Sequence, residues 1–214
     1  MAITEELIFD CIDTVKEVLP GNDVAVCGGA PRDLTLGKEP SDIDMYIYAE
    51  NPKDYKAKIK DLSVYFGEGR VVGGGYMGAG GQGLPNIVGI REFKSEDGDI
   101  LQVMGFKKED DGLDSLAKSV MTTYDFGLCM IGYDSNKELV KSRYFELDVM
   151  SKCLTLRNWE NLSLLKRSVD VHLPKLQAKY PDYKYNGPLG KQRVPAWFRK
   201  NFVIAPGILA EDII

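Results

Sequence analysis

The residues best equipped for chemistry lie between positions 28 and 44. Gly28-Gly29-Ala30-Pro31-Arg32-Asp33 is followed by Leu36-Gly37, Pro40 and Asp42-Ile43-Asp44. A short apolar run, Val24-Ala25-Val26-Cys27, leads into the glycine pair, and a helix-compatible stretch, Arg32 to Leu36, leads out of it. Glycines let the backbone approach a ligand closely, and the free N–H groups at a helix start favour phosphate. Asp42 and Asp44 stand two apart in an alternating, β-rich segment, so both carboxylates project from the same face. Placed side by side without an evident cationic partner, they cost free energy unless a cation compensates. Hard divalent ions with oxygen ligands, Mg²⁺ above all, answer that need. A phosphate cradle beside paired aspartates suits two-metal nucleotidyl transfer, in which one ion activates the attacking hydroxyl and the other neutralises the departing pyrophosphate. On residues alone, a tight strand-to-helix turn with no ligand is the alternative.

The elements around these residues follow from apolar spacing. Ile3, Leu7, Ile8, Cys11, Ile12, Val15, Val18 and Leu19 repeat at helical intervals, with Thr4 as an N-cap and Pro20-Gly21 as a stop. Val24–Cys27 reads as a buried strand, Pro31 suits the first position of the next helix, and Asp42–Tyr48 reads as a second strand. Asn51 to Tyr65 is helical in pattern. Ile87–Phe93 and Asp99–Phe106 form an antiparallel pair across Lys94-Ser95-Glu96-Asp97-Gly98. Between them, residues 73–83 carry seven glycines in eleven positions and read as a flexible hairpin or lid. Leu113–Met121 is a short helix, Phe126–Tyr133 a strand or buried helix, and Ser151–Tyr180 mainly helical. The segment after Pro181 reads as a tail that wraps the surface or orders on binding.

Composition narrows the classes. In 214 residues, 44% are hydrophobic and 28% charged, enough for a packed core. No apolar run is long enough to span a bilayer, Met1–Asp10 has no targeting chemistry, and four dispersed cysteines point to reduced thiols and a cytoplasmic protein. The single histidine, His172, rules out two-histidine metal sites and reads as a packing or surface residue. Net charge is −5, but residues 152–200 hold eleven Lys/Arg against three Asp/Glu, while the rest holds sixteen bases against 29 acids. Such asymmetry suggests a polyanion-facing segment, or otherwise a solvated helix face. Tyr180, Tyr183, Tyr185, Trp197 and Phe198 lie within that basic stretch. They suit base stacking or anchoring of an apolar tail; Trp159 reads as core.

GGAPRDLTLGKEPSDIDMYI resembles the head-domain signature of CCA-adding tRNA nucleotidyltransferases and bacterial poly(A) polymerases, within the polymerase-β-like nucleotidyltransferase superfamily. Tyr124–Ile131 looks like that family's RRDFTINAL segment, and Phe145–Asp148 with Lys152–Leu154 is similar to the stretch that follows it. The likeness is good over residues 24–48 and loose over 120–170. Small phage-encoded members have a comparable size and layout. The resemblance implies that Asp42 and Asp44 are the metal-binding, catalytic carboxylates, that Gly28 and Gly29 contact the nucleotide triphosphate, and that Arg32 and Asp33 help hold the triphosphate and fix the turn. Three departures from the family pattern matter. Thr123 and Tyr124 replace an arginine pair. Glu160-Asn161 opens a nucleotide-selecting motif but Leu164 stands where arginine should be, leaving Lys166 and Arg167 as nearby acceptor-binding candidates. A third carboxylate is replaced by Gln102, with Asp99 and Glu92 as substitutes.

The expected fold is therefore α/β (α+β): a small mixed β-sheet nucleotidyltransferase core with helices on one side and a short helical C-terminal extension. The division falls at 1–150 for the core and 151–214 for the basic extension. The expected reaction is transfer of NMP from an NTP to a hydroxyl with Mg²⁺ or Mn²⁺, releasing pyrophosphate, with an RNA 3′ end as the preferred acceptor. A nucleotidyltransferase acting on a protein or small molecule, and an inactive nucleotide- or RNA-binding module, are the alternatives.

Overall fold

The computed structural model describes residues 2–71, 86–95, 98–107, 112–157 and 167–187. The glycine-rich loop 73–83, the expected helical stretch 158–166 with Trp159, Glu160 and Lys166, and the tail with Trp197 and Phe198 lie outside them. The chain divides into two compact units, one of residues 1–121 and 131–140, the other of 122–130 and 141–214.

The first unit is built on a sheet of seven strands: β1 (Val24–Cys27), β2 (Ile43–Tyr48), β3 (Arg70–Val71), β4 (Ile87–Lys94), β5 (Ile100–Phe106), β6 (Ile131–Tyr133) and β7 (Leu139–Lys141). Their order is β3-β4-β5-β2-β1-β6-β7. β2 and β5 run parallel, whereas β1–β2, β1–β6, β3–β4 and β4–β5 are antiparallel. This is the mixed sheet expected from the sequence. Helices α1 (Glu5–Val18) and α3 (Pro52–Phe66) pack on the face formed by Val24, Val26, Ile43, Met45, Ile47, Leu101 and Val103. Each begins as its sequence dictates. Thr4 Oγ1 accepts from the Leu7 N–H, and Asn51 Oδ1 accepts from those of Lys53 and Asp54.

Two glycines fix how α3 sits. Gly89 and Gly105 are cross-strand neighbours on β4 and β5, and a Cβ on either would overlap the Tyr55 ring. Tyr55 is buried in that slot and donates its hydroxyl to the Val103 carbonyl at 2.8 Å.

The opposite face carries Ala25, Cys27, Tyr46, Met104 and Phe106, all buried, with α4 (Leu116–Met121) beside β1, β2 and β6. α4 starts three residues later than the spacing suggests, because the Asp23 carboxylate accepts from the Leu116 N–H at 2.9 Å. Helix α2 (Gly29–Thr35) follows β1 directly, so Pro31 is its third residue rather than its first. No helix among the described residues is long and apolar enough to cross a membrane.

The second unit differs most from expectation. The Phe126–Tyr133 segment divides into a 3₁₀ turn, Gly127–Cys129, and then β6 of the first unit. After α5 (Arg143–Ser151), capped by Ser142 Oγ on the Phe145 N–H, residues 153–156 are extended, whereas 167–179 are helical as expected. Cys153–Thr155 forms β8, parallel to β9 (Lys184–Asn186) from the segment expected to be a tail. A π-helical turn, Ser168–His172, then leads into α6 (Leu173–Lys179). Asp148, 2% exposed, binds this unit together by accepting from the Thr155 N–H at 3.1 Å. Gly127 is required beside it, since a Cβ there would lie 2.8 Å from Asp148 Oδ2.

Candidate active site

β1 ends at Cys27, and Gly28 turns the chain at φ 84 and ψ −115, a conformation side-chain-bearing residues avoid. Its N–H donates to the Ile131 carbonyl at 2.8 Å, and its own carbonyl accepts from the Arg32 N–H at 3.2 Å. Gly28 is thereby fixed as the hinge between strand and helix. A Cβ added to Gly29 would meet only the Arg32 guanidinium, at 3.9 Å. α2 is only seven residues long, so its dipole is weak and Arg32 is the main positive element here. Asp33, 2% exposed, accepts from Arg32 Nε and Nη2, each at 2.7 Å. In the structure, then, Asp33 positions the arginine.

Asp42 immediately precedes β2 and Asp44 is its second residue. Both are half-buried. Asp42 accepts from the Ser41 hydroxyl at 2.8 Å, whereas Asp44 has no hydrogen-bond partner among the described residues. Burial, and secondarily the Asp42 charge, push the Asp44 carboxyl up to about 7, against the opposing effect of Arg32. The Cys27 thiol is raised as well, chiefly by burial and then by Asp44, so it is inert despite its proximity.

Pairing register places the remaining candidates. Asp44 lies opposite Gln102 on β5, and Gln102 lies opposite Glu92 on β4. Opposed residues share a face of a sheet, so the three form a row on the face away from α1 and α3. Gln102 hydrogen-bonds to neither acid. Glu92 turns to Arg70, its partner on β3, with Nε to Oε1 at 2.8 Å. Asp99 belongs to the β4–β5 turn, where its N–H donates to Ser95 Oγ. No group of three or more His, Cys, Asp and Glu side chains among the described residues is close enough to hold a metal ion. The donors present are hard oxygens from two carboxylates, which fit Mg²⁺ or Mn²⁺ completed by substrate phosphates.

Two of the sequence-derived candidates, Lys166 and Arg167, belong to the second unit. Arg167 precedes the π-helical turn, and Lys166 lies outside the described residues. His172, read as a packing or surface residue, is partly buried with Nδ1 2.6 Å from Asp125 Oδ2. The Asp125–His172 and Arg70–Glu92 pairs had no local signal, because their partners are distant in sequence.

The mixed sheet, the glycine turn and the short helix before an aspartate-bearing strand define a nucleotidyltransferase head-domain fold. Solved structures of CCA-adding enzymes share it. One in complex with ATP superposes with a TM-score of 0.58 at 14% identity, covering 87% of this chain and 40% of that one. One with CTP gives 0.56 at 15% identity over 84% and 40%. The Thermotoga maritima CCA-adding enzyme complexed with tRNA gives 0.55 at 14% identity over 87% and 40%. The chain thus spans about two-fifths of the length of these enzymes. No protein-family model and no curated protein matches the sequence.

Proposed function

We propose that this chain is a divalent-metal-dependent nucleotidyltransferase that moves NMP from an NTP to a hydroxyl, with an RNA 3′ end as acceptor. The observation that carries the proposal is Asp44, a half-buried carboxylate with no hydrogen-bond donor among the described residues, beside the like charge of Asp42 and pushed up to about 7. A scaffold residue in that position costs stability, whereas a metal ligand is stabilised by its ion. Asp42 and Asp44 would hold Mg²⁺ or Mn²⁺, which when bound supplies charge neutralisation at phosphoryl oxygens and a lower pKa for the attacking hydroxyl. Gly29, where a Cβ would lie 3.9 Å from the Arg32 guanidinium, leaves room for a phosphate to approach the backbone, and Arg32, held by Asp33, offers it positive charge. The acceptor oxygen forms a bond to the α-phosphorus, the bond to the β-phosphate breaks, and the hydroxyl proton is released. Structural likeness to enzymes solved with CTP, ATP and tRNA supports an NTP donor and an RNA acceptor, as does the basic charge of residues 152–200.

The test is transfer of label from each of the four NTPs to total RNA with Mg²⁺ or Mn²⁺, with Asp42→Asn/Asp44→Asn protein as control. Label entering RNA and absent with the double variant is the expected result. Label entering protein or a small acceptor reassigns the substrate. No transfer to any acceptor, with NTP or RNA binding retained, leaves a binding module.

A further inference from the structure

We propose that Gln102 and the Arg70–Glu92 ion pair hold this site at two uncompensated carboxylates, so that the chain alone binds one divalent ion and takes any further ion only with the phosphates of its nucleotide. The inference rests on the assignment of Asp42 and Asp44 as metal ligands.

Register makes the charge count specific. Arg70, Glu92, Gln102 and Asp44 occupy successive positions across β3, β4, β5 and β2. With strands about 4.8 Å apart, the Gln102 Cα lies roughly one strand spacing from that of Asp44, and the Glu92 Cα roughly two. Gln102 is half-buried and its side chain makes no hydrogen bond among the described residues, so it contributes an uncharged oxygen where a carboxylate would add to the field. Glu92 is committed elsewhere. Its side chain is 11% exposed and engages Arg70, which is 77% exposed, at 2.8 Å. Beside the glycine turn, Asp33 takes up part of the charge of Arg32, and the remainder is left for phosphate. Asp42 and Asp44 are left, and their two negative charges match one divalent ion. Glutamate at 102 would add a third charge with almost no change of volume. At that separation it is worth about tenfold or more in affinity for a divalent ion.

Mn²⁺ binding tests this directly: free Mn²⁺ is followed by electron paramagnetic resonance during titration of the metal-free, nucleotide-free full chain. The expected results are one Mn²⁺ per chain, lost in Asp44→Asn, and affinity tighter by about tenfold or more in Gln102→Glu with room for a second ion. Glu92→Gln should leave the affinity of the natural chain within about twofold, since that carboxylate is already neutralised by Arg70. Melting curves in metal-free buffer report whether each variant is folded. Two ions on the natural chain without nucleotide, an unchanged affinity in Gln102→Glu, or a loss in Glu92→Gln equal to that in Asp44→Asn would each overturn the proposal. A natural chain that binds one Mn²⁺ yet transfers no nucleotide defeats the assigned function and leaves this inference standing. A chain that binds no Mn²⁺ even in excess defeats the ligand assignment and this inference together.

Discussion

On the proposed assignment, Asp44 serves metal binding at the expense of stability. In metal-free buffer at pH 8, Asp44→Asn should be more stable than the natural protein by ~1 kcal/mol, because a half-buried carboxylate is still partly screened by solvent. Excess Mg²⁺ should reverse the order, because only the natural carboxylate gains from the ion. Urea titrations with and without Mg²⁺ measure both effects, and equal midpoints in metal-free buffer would rule out the strain. Arg32→Lys should lower transfer by more than tenfold, since an ammonium cannot keep two contacts to Asp33 and still present a planar edge. Steady-state kinetics should show the loss mainly in KM for the NTP. Asp42, Asp44, Gly28, Gly29 and Arg32 were all legible in the sequence, because their chemistry is encoded within seventeen consecutive residues. Glu92 and Arg70 were not legible as a pair. Their meeting depends on strand register, which no local pattern records.

Elements pack here through specific exclusions. The slot formed by Gly89 and Gly105 admits the Tyr55 ring, so Gly105→Ala should cost about 1–3 kcal/mol by overpacking. Tyr55→Phe, which loses only the bond to the Val103 carbonyl, should cost about 1 kcal/mol. Chemical denaturation would rank the two, and a milder effect of Gly105→Ala would show that α3 can lift from the sheet. Asp148 gives a pH signature. Burial raises its carboxyl to about 6 against the hydrogen bonds from Thr155 and Leu128, so the folded state binds that proton more tightly than the unfolded chain. The unfavourable contribution is present in full above about pH 6 and is relieved as pH falls toward the unfolded value near 4. Stability of the natural protein relative to Asp148→Asn should therefore rise by on the order of 2–3 kcal/mol between pH 7.5 and 4. A flat difference would contradict it. The first unit's helices and long strands were legible because they carry several periods of apolar residues. β8 and β9 were not: three residues cannot display a period, and each strand exists only through its partner about thirty positions away.

At the scale of the whole molecule, charge is distributed unevenly. If RNA is the acceptor, retention of RNA should fall steeply with salt, log–log, by about 0.7 for each phosphate contact. A nearly flat salt dependence in a filter-binding titration would point to a protein or small-molecule acceptor instead. The mixed sheet and its likeness in fold to nucleotidyltransferase head domains were readable from the strand–turn–helix–strand motif, whereas the division into units was not, because residues 122–130 leave the first unit and residues 131–140 return to it. The parallel pairing of β2 with β5 also has a temporal consequence. Asp44 meets Gln102 across 57 intervening residues, a contact that forms only after a large loop has closed, whereas the β4–β5 hairpin is local. Ile43 and Leu101 should accordingly show φ-values well below those of Ile90 and Met104 when folding rates of truncation variants are compared. The row from Asp44 through Gln102 to Glu92 is then among the last features to form, so a chain still in the course of folding carries Asp42 and Asp44 at the start of a strand whose β5 neighbour has not yet arrived.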